Sequence, residues 1–358
     1  MKTIELSLQD GQRCPIRIGS GLLKICGELL KAEMKPCRVM LVTDENVAPL
    51  YLDTAIKSLA EAGFAVNEII VPAGEQSKSL TTLERVLEAM AAAHLTRTDL
   101  AVSLGGGVIG DLTGFAAGCY LRGIRFVQLP TTFLAAVDAS VGGKTAVNLA
   151  HGKNLAGLFH QQSAVFCDTD TFSTLGTVQL ADGAAEAIKT GILGDTSLFE
   201  MFEHGNTQEN MTEIVAKSVA YKSKIVAEDP NEHGVRKLLN LGHTAGHAIE
   251  LASKYEISHG FAVAIGTAMM CRAAVKRRYM EKYEATRILQ TLQRNGLPIT
   301  TEFDAEMLAE IAQTDKKAAD TYITVILPKQ IGNCQMEKIP LTELKSLFAD
   351  GMEDSTWM

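Results

Sequence analysis

The sequence predicts an α/β N-terminal domain with a mostly parallel, Rossmann-like sheet, followed by an all-helical C-terminal domain. Three observations lead there. Short apolar runs alternate with helical stretches through the first half of the chain. A glycine-rich turn directly follows one of those runs. From about Leu180 onward, long helical periods succeed one another almost without interruption.

Taken in order, Met1-Lys2-Thr3-Ile4-Glu5 alternates polar and apolar as a strand does. It lacks the apolar centre of a signal peptide. Arg38 to Thr43 is an apolar run ending at Asp44, and a helical stretch follows to about Ala62. Phe64-Ala65-Val66 and Glu68 to Val71 read as extended, and Leu80 to Ala93 as a helix. Asp99 to Leu104 is a strand stopped by Gly105-Gly106-Gly107, and Gly123 to Leu129 another stopped by Pro130. Strands separated by helices imply a parallel sheet with crossover connections, and such sheets bind ligands beyond the carboxyl ends of their strands. Asp44, Gly105 to Asp111 and Pro130-Thr131-Thr132 occupy those positions. In the second half the helical periods are 180–193, 207–228, 236–254, 260–280 and 282–294, with Tyr322 to Leu327 the one strand. The boundary falls near 175–182 and gives domains 1–178 and 179–358, expected to pack with a cleft between them.

Gly105-Gly106-Gly107-Val108-Ile109-Gly110-Asp111 contains G-x-G-x-x-G between a strand and an apolar helix. Glycines let the backbone approach a pyrophosphate, and the helix N-terminus favours its charge. The same glycines also suit a tight turn with close helix packing. An acidic ribose partner about 20 residues downstream, usual in this motif, is missing. Asp44 is the better candidate. Gly74-Glu75-Gln76-Ser77-Lys78 is a second polar turn able to hold the same ligand.

Arg236, Asn240, His243, His247 and Glu250 follow one another at intervals of four, three, four and three, one face of a helix. Gly242 and Gly246, poor helix formers, suggest close approach of another backbone or a ligand. Together with His259, the histidines point to a divalent metal, which needs about three convergent ligands and an open position. A carboxylate is the missing ligand. Asp182, Glu186 and Lys189 share a stripe that offers one, although taken alone it reads more readily as an ion-paired solvent face. Lys222 falls on the apolar face of 207–228, where Lys217 and Lys224 do not, and a lysine there needs an anion or a wet pocket. Lys144, Lys153 and the Lys316-Lys317 pair sit in polar loops. Singly these are ordinary solvated lysines; together with Arg236 they predict a small anionic substrate.

The 358 residues are 46% hydrophobic with a net charge of −8, which excludes a disordered chain and disfavours a nucleic-acid- or membrane-coating protein. The longest apolar stretch, Phe261 to Cys271, falls short of the ~18–20 residues that span a bilayer. Seven cysteines without C-x-x-C spacing read as reduced thiols. A cytoplasmic protein is expected.

Several long motifs resemble the 3-dehydroquinate synthase family. They are Gly105 to Asp111, Tyr120-Leu121-Arg122-Gly123, Pro130-Thr131-Thr132, Asp138 to Thr145, Gly152-Lys153-Asn154, Ala185 to Lys189, Leu239 to His247, His259-Gly260 and Asp315-Lys316-Lys317. The resemblance runs in order from about residue 40 to 330. Asp320-Thr321, Gln162 and Ala181-Asp182 depart from residues common there. The resemblance implies an NAD-binding first domain and a second domain holding zinc or cobalt through Glu186, His243 and His259. For NAD it implies Asp44, Glu75, Gln76, Lys78, Gly106, Gly107, Val108, Ile109, Gly110, Asp111, Thr131, Thr132, Lys144, Lys153, Thr171, Phe172 and Thr174.

The implied substrate is 3-deoxy-D-arabino-heptulosonate 7-phosphate, in the shikimate pathway. Its phosphate would meet Lys144, Asn154, Asn240, His247 and Lys316 or Lys317, with Arg122 from a neighbouring subunit of a homodimer. Lys222 and Arg236 would take its carboxylate. Asp138, Glu186 and Lys189 would orient hydroxyls and the zinc-bound water. The implied sequence is transient oxidation at C5 by NAD with zinc as Lewis acid, phosphate elimination, reduction, ring opening and intramolecular aldol closure. Two rival readings share parts of this machinery: another sugar-phosphate cyclase, and a metal-dependent polyol dehydrogenase that releases NADH.

Overall fold

The computed structural model describes residues 1–8, 11–314 and 321–352. The chain divides into two compact units, Met1–Leu175 and Gly176–Met358, ahead of the expected division at 178/179.

The first unit is built from β1 (Lys2–Ser7), β2 (Arg13–Gly19), α1 (Cys26–Glu33), β3 (Arg38–Asp44), α2 (Asp53–Glu61), β4 (Ala65–Val71), α3 (Leu80–Ala92), β5 (Leu100–Gly105), α4 (Gly107–Cys119), β6 (Arg125–Pro130), β7 (Lys144–Leu149), β8 (Gly152–Phe159) and β9 (Ala164–Asp168). Seven strands form one sheet in the order β1-β2-β9-β6-β5-β3-β4, parallel except for β1 against β2. Side chains of β3 alternate between two cores: Val39 and Leu41 pack with Leu59, Val102 and Leu104, and Met40 and Val42 with Val86, Met90 and Ile109. A strand covered on both faces must be apolar throughout, and β5 is buried along its whole length. Edge strand β4 instead carries Asn67 and exposed Glu68. After β3 the chain adds β4 on one side and β5 on the other, so the strand order reverses between β3 and β5. A crevice opens at the carboxyl ends of such strands. Asp44 ends β3 and Gly105 ends β5.

The sequence reading did not resolve β2, β9, α1 or the separate β7–β8 hairpin. β9 spans five residues, too few for a period to emerge. The extended run read over Phe64 to Val66 and Glu68 to Val71 is β4.

The second unit comprises α5 (Thr177–Gly194), α6 (Thr196–Glu203), α7 (Met211–Glu228), α8 (His243–Ala252), α9 (His259–Lys276), α10 (Lys282–Arg294), α11 (Ala305–Thr314), β10 (Tyr322–Gln330), β11 (Asn333–Pro340) and α12 (Leu344–Gly351). α9 is buried almost end to end and is packed by α5, α8, α10 and α12. A helix apolar all round belongs at the centre of its unit.

The second unit departs from two expectations. The unit is helical but carries the antiparallel β10–β11 hairpin, so the strand read at Tyr322 to Leu327 has a partner. That partner, Asn-Cys-Gln-Met-Glu-Lys-Ile-Pro, holds one β-branched residue and gives little strand signal. The expected helix 236–254 is broken. Val235–Asn240 is a tight 3-10 turn, Gly242 adopts φ +77°, and α8 starts afresh at His243. The cause is a close crossing with α9. A Cβ on Gly266 would stand 2.0 Å from the Gly242 carbonyl oxygen, and one on Gly242 2.7 Å from the Val263 oxygen. Among the described residues no helix is long and apolar enough to cross a membrane.

Candidate active site

In the first unit, the glycine-rich turn lies where the strand order reverses. Gly106 caps α4 in an extended conformation, and a Cβ there would come 3.0 Å from Thr132 Cγ2. The buried Thr131 donates its N–H to the Gly105 carbonyl at 3.0 Å. Asp44 Oδ1 accepts the N–H groups of Asn46 and Val47 at 2.9 and 3.0 Å, which fixes its carboxylate at the mouth of β3. The polar turn read at Gly74 to Lys78 folds onto α4. Buried Lys78 donates to Asp111 Oδ2 at 2.7 Å and to Asn154 Oδ1. Asn148 ties the same cluster together, donating to Glu75 at 2.7 Å and accepting from the Asn154 N–H at 2.9 Å. Thr171 and Phe172 are buried, the latter against Phe133. Tyr51, between β3 and α2, bonds Thr174 Oγ1 at 2.6 Å, which brings the 171–174 turn to the end of β3. Gln76 lies on the Gly74 to Lys78 turn, Val108, Ile109 and Gly110 lie in the first turn of α4, and Lys153 lies at the start of β8. Lys144 begins β7 and is exposed, Asp138 is half-buried, and Arg122 is exposed at φ +67°.

In the second unit three elements converge. α5 presents Glu186 and Lys189, α8 begins with His243, and α9 begins with His259. Glu186 and Lys189 are 1% and 2% exposed, so their stripe faces the core and not solvent. Glu186 Oε1 lies 3.8 Å from His243 Nε2 and 3.5 Å from His259 Nε2. Lys189 Nζ sits against Oε2, but neither buried oxygen accepts a well-formed hydrogen bond.

The far sides of both rings are engaged. His243 Nδ1 faces the Leu241 carbonyl at 3.1 Å, and His259 Nδ1 faces Glu250 Oε2 at 3.2 Å. Burial opposes the charge of Glu186, yet Lys189 and the two imidazoles outweigh it and hold the carboxyl well below its usual range. Burial, helped by Lys189, drives His243 well below the ordinary histidine value. Burial also opposes charge on His259, but Glu186 and Glu250 prevail and raise it to about 10.

This arrangement fits a metal. Ligands about 2.1 Å from a tetrahedral centre stand roughly 3.4 Å apart, close to the separations found. The oxygen lacks a donor, and each ring keeps one nitrogen committed outward, as metal-bound imidazoles do. Nitrogen and carboxylate donors suit zinc or cobalt.

Around this cluster, exposed His247 stands with its ring 5.3 Å from that of His243 and 6.1 Å from that of His259. Buried Arg236 donates to the Pro230 carbonyl, and its own N–H reaches Asp229 Oδ2 at 3.0 Å. Asn240 donates to Glu232 Oε1 at 2.7 Å. Lys222 is half-buried on α7, which packs on the turn carrying Arg236 and Asn240. Arg236 and Asn240 therefore stand on the turn before α8, not on one continuous helical stripe with the histidines. Lys316 and Lys317 lie outside the described residues.

Family models described as 3-dehydroquinate synthase N-terminal and C-terminal match residues 68–182 and 183–318. The chain belongs to the 3-dehydroquinate synthase family. A 3-dehydroquinate synthase of Brucella anthropi is 44% identical over 351 residues, covering 94% of this chain and 92% of that one. The fold is also that of 2-deoxy-scyllo-inosose synthase complexed with carbaglucose-6-phosphate, NAD+ and Co2+ (TM-score 0.86, 25% identity, 98% of this chain and 100% of that one). A 2-epi-5-epi-valiolone synthase from Streptomyces hygroscopicus with NAD+ and Zn2+ bound matches at TM-score 0.84 and 25% identity, covering 98% of each chain.

Two residues of this 3-dehydroquinate synthase family member were missed or left without a role by sequence reasoning. Glu232, at φ +60° in the loop after α7, reaches Asn240. A loop carboxylate gives no periodicity; its place four residues before Arg236 is the only signal. Glu250 was on the stripe, but spacing could not show that it meets His259.

Proposed function

We propose that this chain converts 3-deoxy-D-arabino-heptulosonate 7-phosphate to 3-dehydroquinate and inorganic phosphate, as a carbon–oxygen lyase that regenerates its own NAD. The observation that carries the reading is the meeting of Glu186, His243 and His259 around one buried, donor-poor oxygen in a chain of this family. Bound there, zinc or cobalt supplies Lewis-acid chemistry at an alcohol oxygen, and NAD in the first unit supplies a reversible hydride acceptor.

The protein's own groups do the rest. Glu186, His243 and His259 hold the ion, and Lys189 balances the Glu186 charge while offering its ammonium to a substrate hydroxyl. Arg236 and Lys222 receive the carboxylate. Asn240, its amide steadied by Glu232, and His247 receive the phosphate. Asp44, the Gly106–Asp111 turn and Lys78 hold the dinucleotide. The cytoplasmic homodimer implied by resemblance belongs to the same proposal.

The test is incubation with the heptulosonate phosphate and a trace of NAD, followed by assays for phosphate and the carbocycle. Release of both is expected. Inertness toward that substrate, with phosphate released from a hexose 6-phosphate, would move the chain to the inosose branch.

A further inference from the structure

We propose that Glu250 is a positioning residue that sets the affinity of the metal centre through His259 without ligating the ion. The inference rests on the ligand set proposed above. Glu250 lies in the last turn of α8 and is 4% exposed. Its Oε2 is 3.2 Å from His259 Nδ1, while Nε2 of the same ring is 3.5 Å from Glu186 Oε1. The ring thus spans two carboxylates, one at each nitrogen. A neutral imidazole has one proton to donate. Given to Glu250 from Nδ1, it leaves the Nε2 lone pair aimed at the ion. A carboxylate is a stronger acceptor than a neutral carbonyl, and it fixes the tautomer and raises the basicity of the ring.

His243 supplies the internal contrast. Its Nδ1 faces the backbone carbonyl of Leu241. The two histidines are therefore unequal ligands, and the charged support belongs to His259. A competing arrangement exists, because ligand atoms of His247, Glu250 and His259 also lie within 4.8 Å of one another. It is the weaker one. The Glu250 oxygen there is already at hydrogen-bond distance from His259, and His247 is exposed. The oxygens of Glu186 are buried with no well-formed hydrogen bond to give up.

Metal-free full-length protein, wild type and the variants Glu250→Gln, Glu250→Asp and Glu186→Gln, is titrated with Zn2+ against a chromophoric chelator. A parallel titration with Co2+ follows the visible absorption bands. Glu250→Gln keeps the shape and a neutral acceptor, as His243 already has. The expected result is a zinc dissociation constant raised about 10–100-fold and cobalt bands at wild-type positions. Glu250→Asp keeps the charge at a longer reach and is expected to bind less tightly than wild type with the same bands; it carries the test if the glutamine variant does not fold. Wild-type affinity in the Glu250 variants, with binding lost in Glu186→Gln, overturns the proposal and leaves the ligand set intact. Displaced cobalt bands in Glu250→Gln make Glu250 a ligand and overturn the proposal. Wild-type binding in Glu186→Gln overturns the ligand set itself.

Discussion

Arg236 is a buried cation held by backbone, its guanidinium on the Pro230 carbonyl and its N–H on Asp229. A charged group so placed is already ordered before any ligand arrives. In the proposed role, replacing it with alanine removes a charge-assisted hydrogen bond to the substrate carboxylate of roughly 1.5–3 kcal/mol, more than tenfold in binding. Steady-state kinetics of Arg236→Ala are expected to show that loss in KM for the carboxylate-bearing substrate. Unchanged kinetics would remove Arg236 from the site. Asp99 plays a purely structural part. It accepts the Arg38 N–H at 2.9 Å, the Thr96 N–H at 2.7 Å and the Thr96 hydroxyl at 2.8 Å. Burial opposes its charge, but these donors hold its pKa below the ordinary value. A carboxyl depressed in the folded state contributes stability that is complete above its unfolded pKa of about 3.9 and is lost as pH falls through the folded one. Asp99→Asn is therefore expected to lower the melting temperature at neutral pH, with the gap to wild type closing in acid; a gap independent of pH would contradict it. Single residues were legible where chemistry is rare, as at His243 and His259. The stripe of Asp182, Glu186 and Lys189 was not, because periodicity shows which residues share a face but not whether that face looks inward.

At the scale of elements, the crossing of α8 and α9 places the residues of the proposed metal centre. Gly242 and Gly266 let the two backbones touch, and this contact ends the turn before α8 and places His243 at a helix start. The intervals of four and three continue through Gly242, so periodicity alone makes 236–254 one helix. Only the neighbouring helix reveals the break. A methyl group on Gly266 would meet the Gly242 carbonyl at 2.0 Å and force the helices apart. Overpacking of this kind costs about 1–3 kcal/mol or more, and at roughly 2–4 °C per kcal/mol Gly266→Ala is expected to melt several degrees lower. Zinc binding should weaken with it, since His243 moves. Wild-type melting and metal affinity in that variant would show that the crossing is not what fixes the ligand.

For the whole molecule, the alternation of strands and helices announced a parallel sheet, and the change of texture from about Leu180 pointed to a second domain. Strand order did not follow from either, since β9 joins the sheet between β2 and β6 after the β7–β8 excursion. The long motifs shared with the family carried the functional reading further than composition or period could. Catalysis with recycled NAD separates that reading from a dehydrogenase, which uses one nicotinamide per turnover. The most direct measurement is the ratio of phosphate released to NAD supplied, with the heptulosonate phosphate in large excess and NADH absorbance followed throughout. The account predicts phosphate many times the NAD added and no lasting NADH. Phosphate release that stops once the NAD is spent, or NADH that rises in step with product, would contradict it.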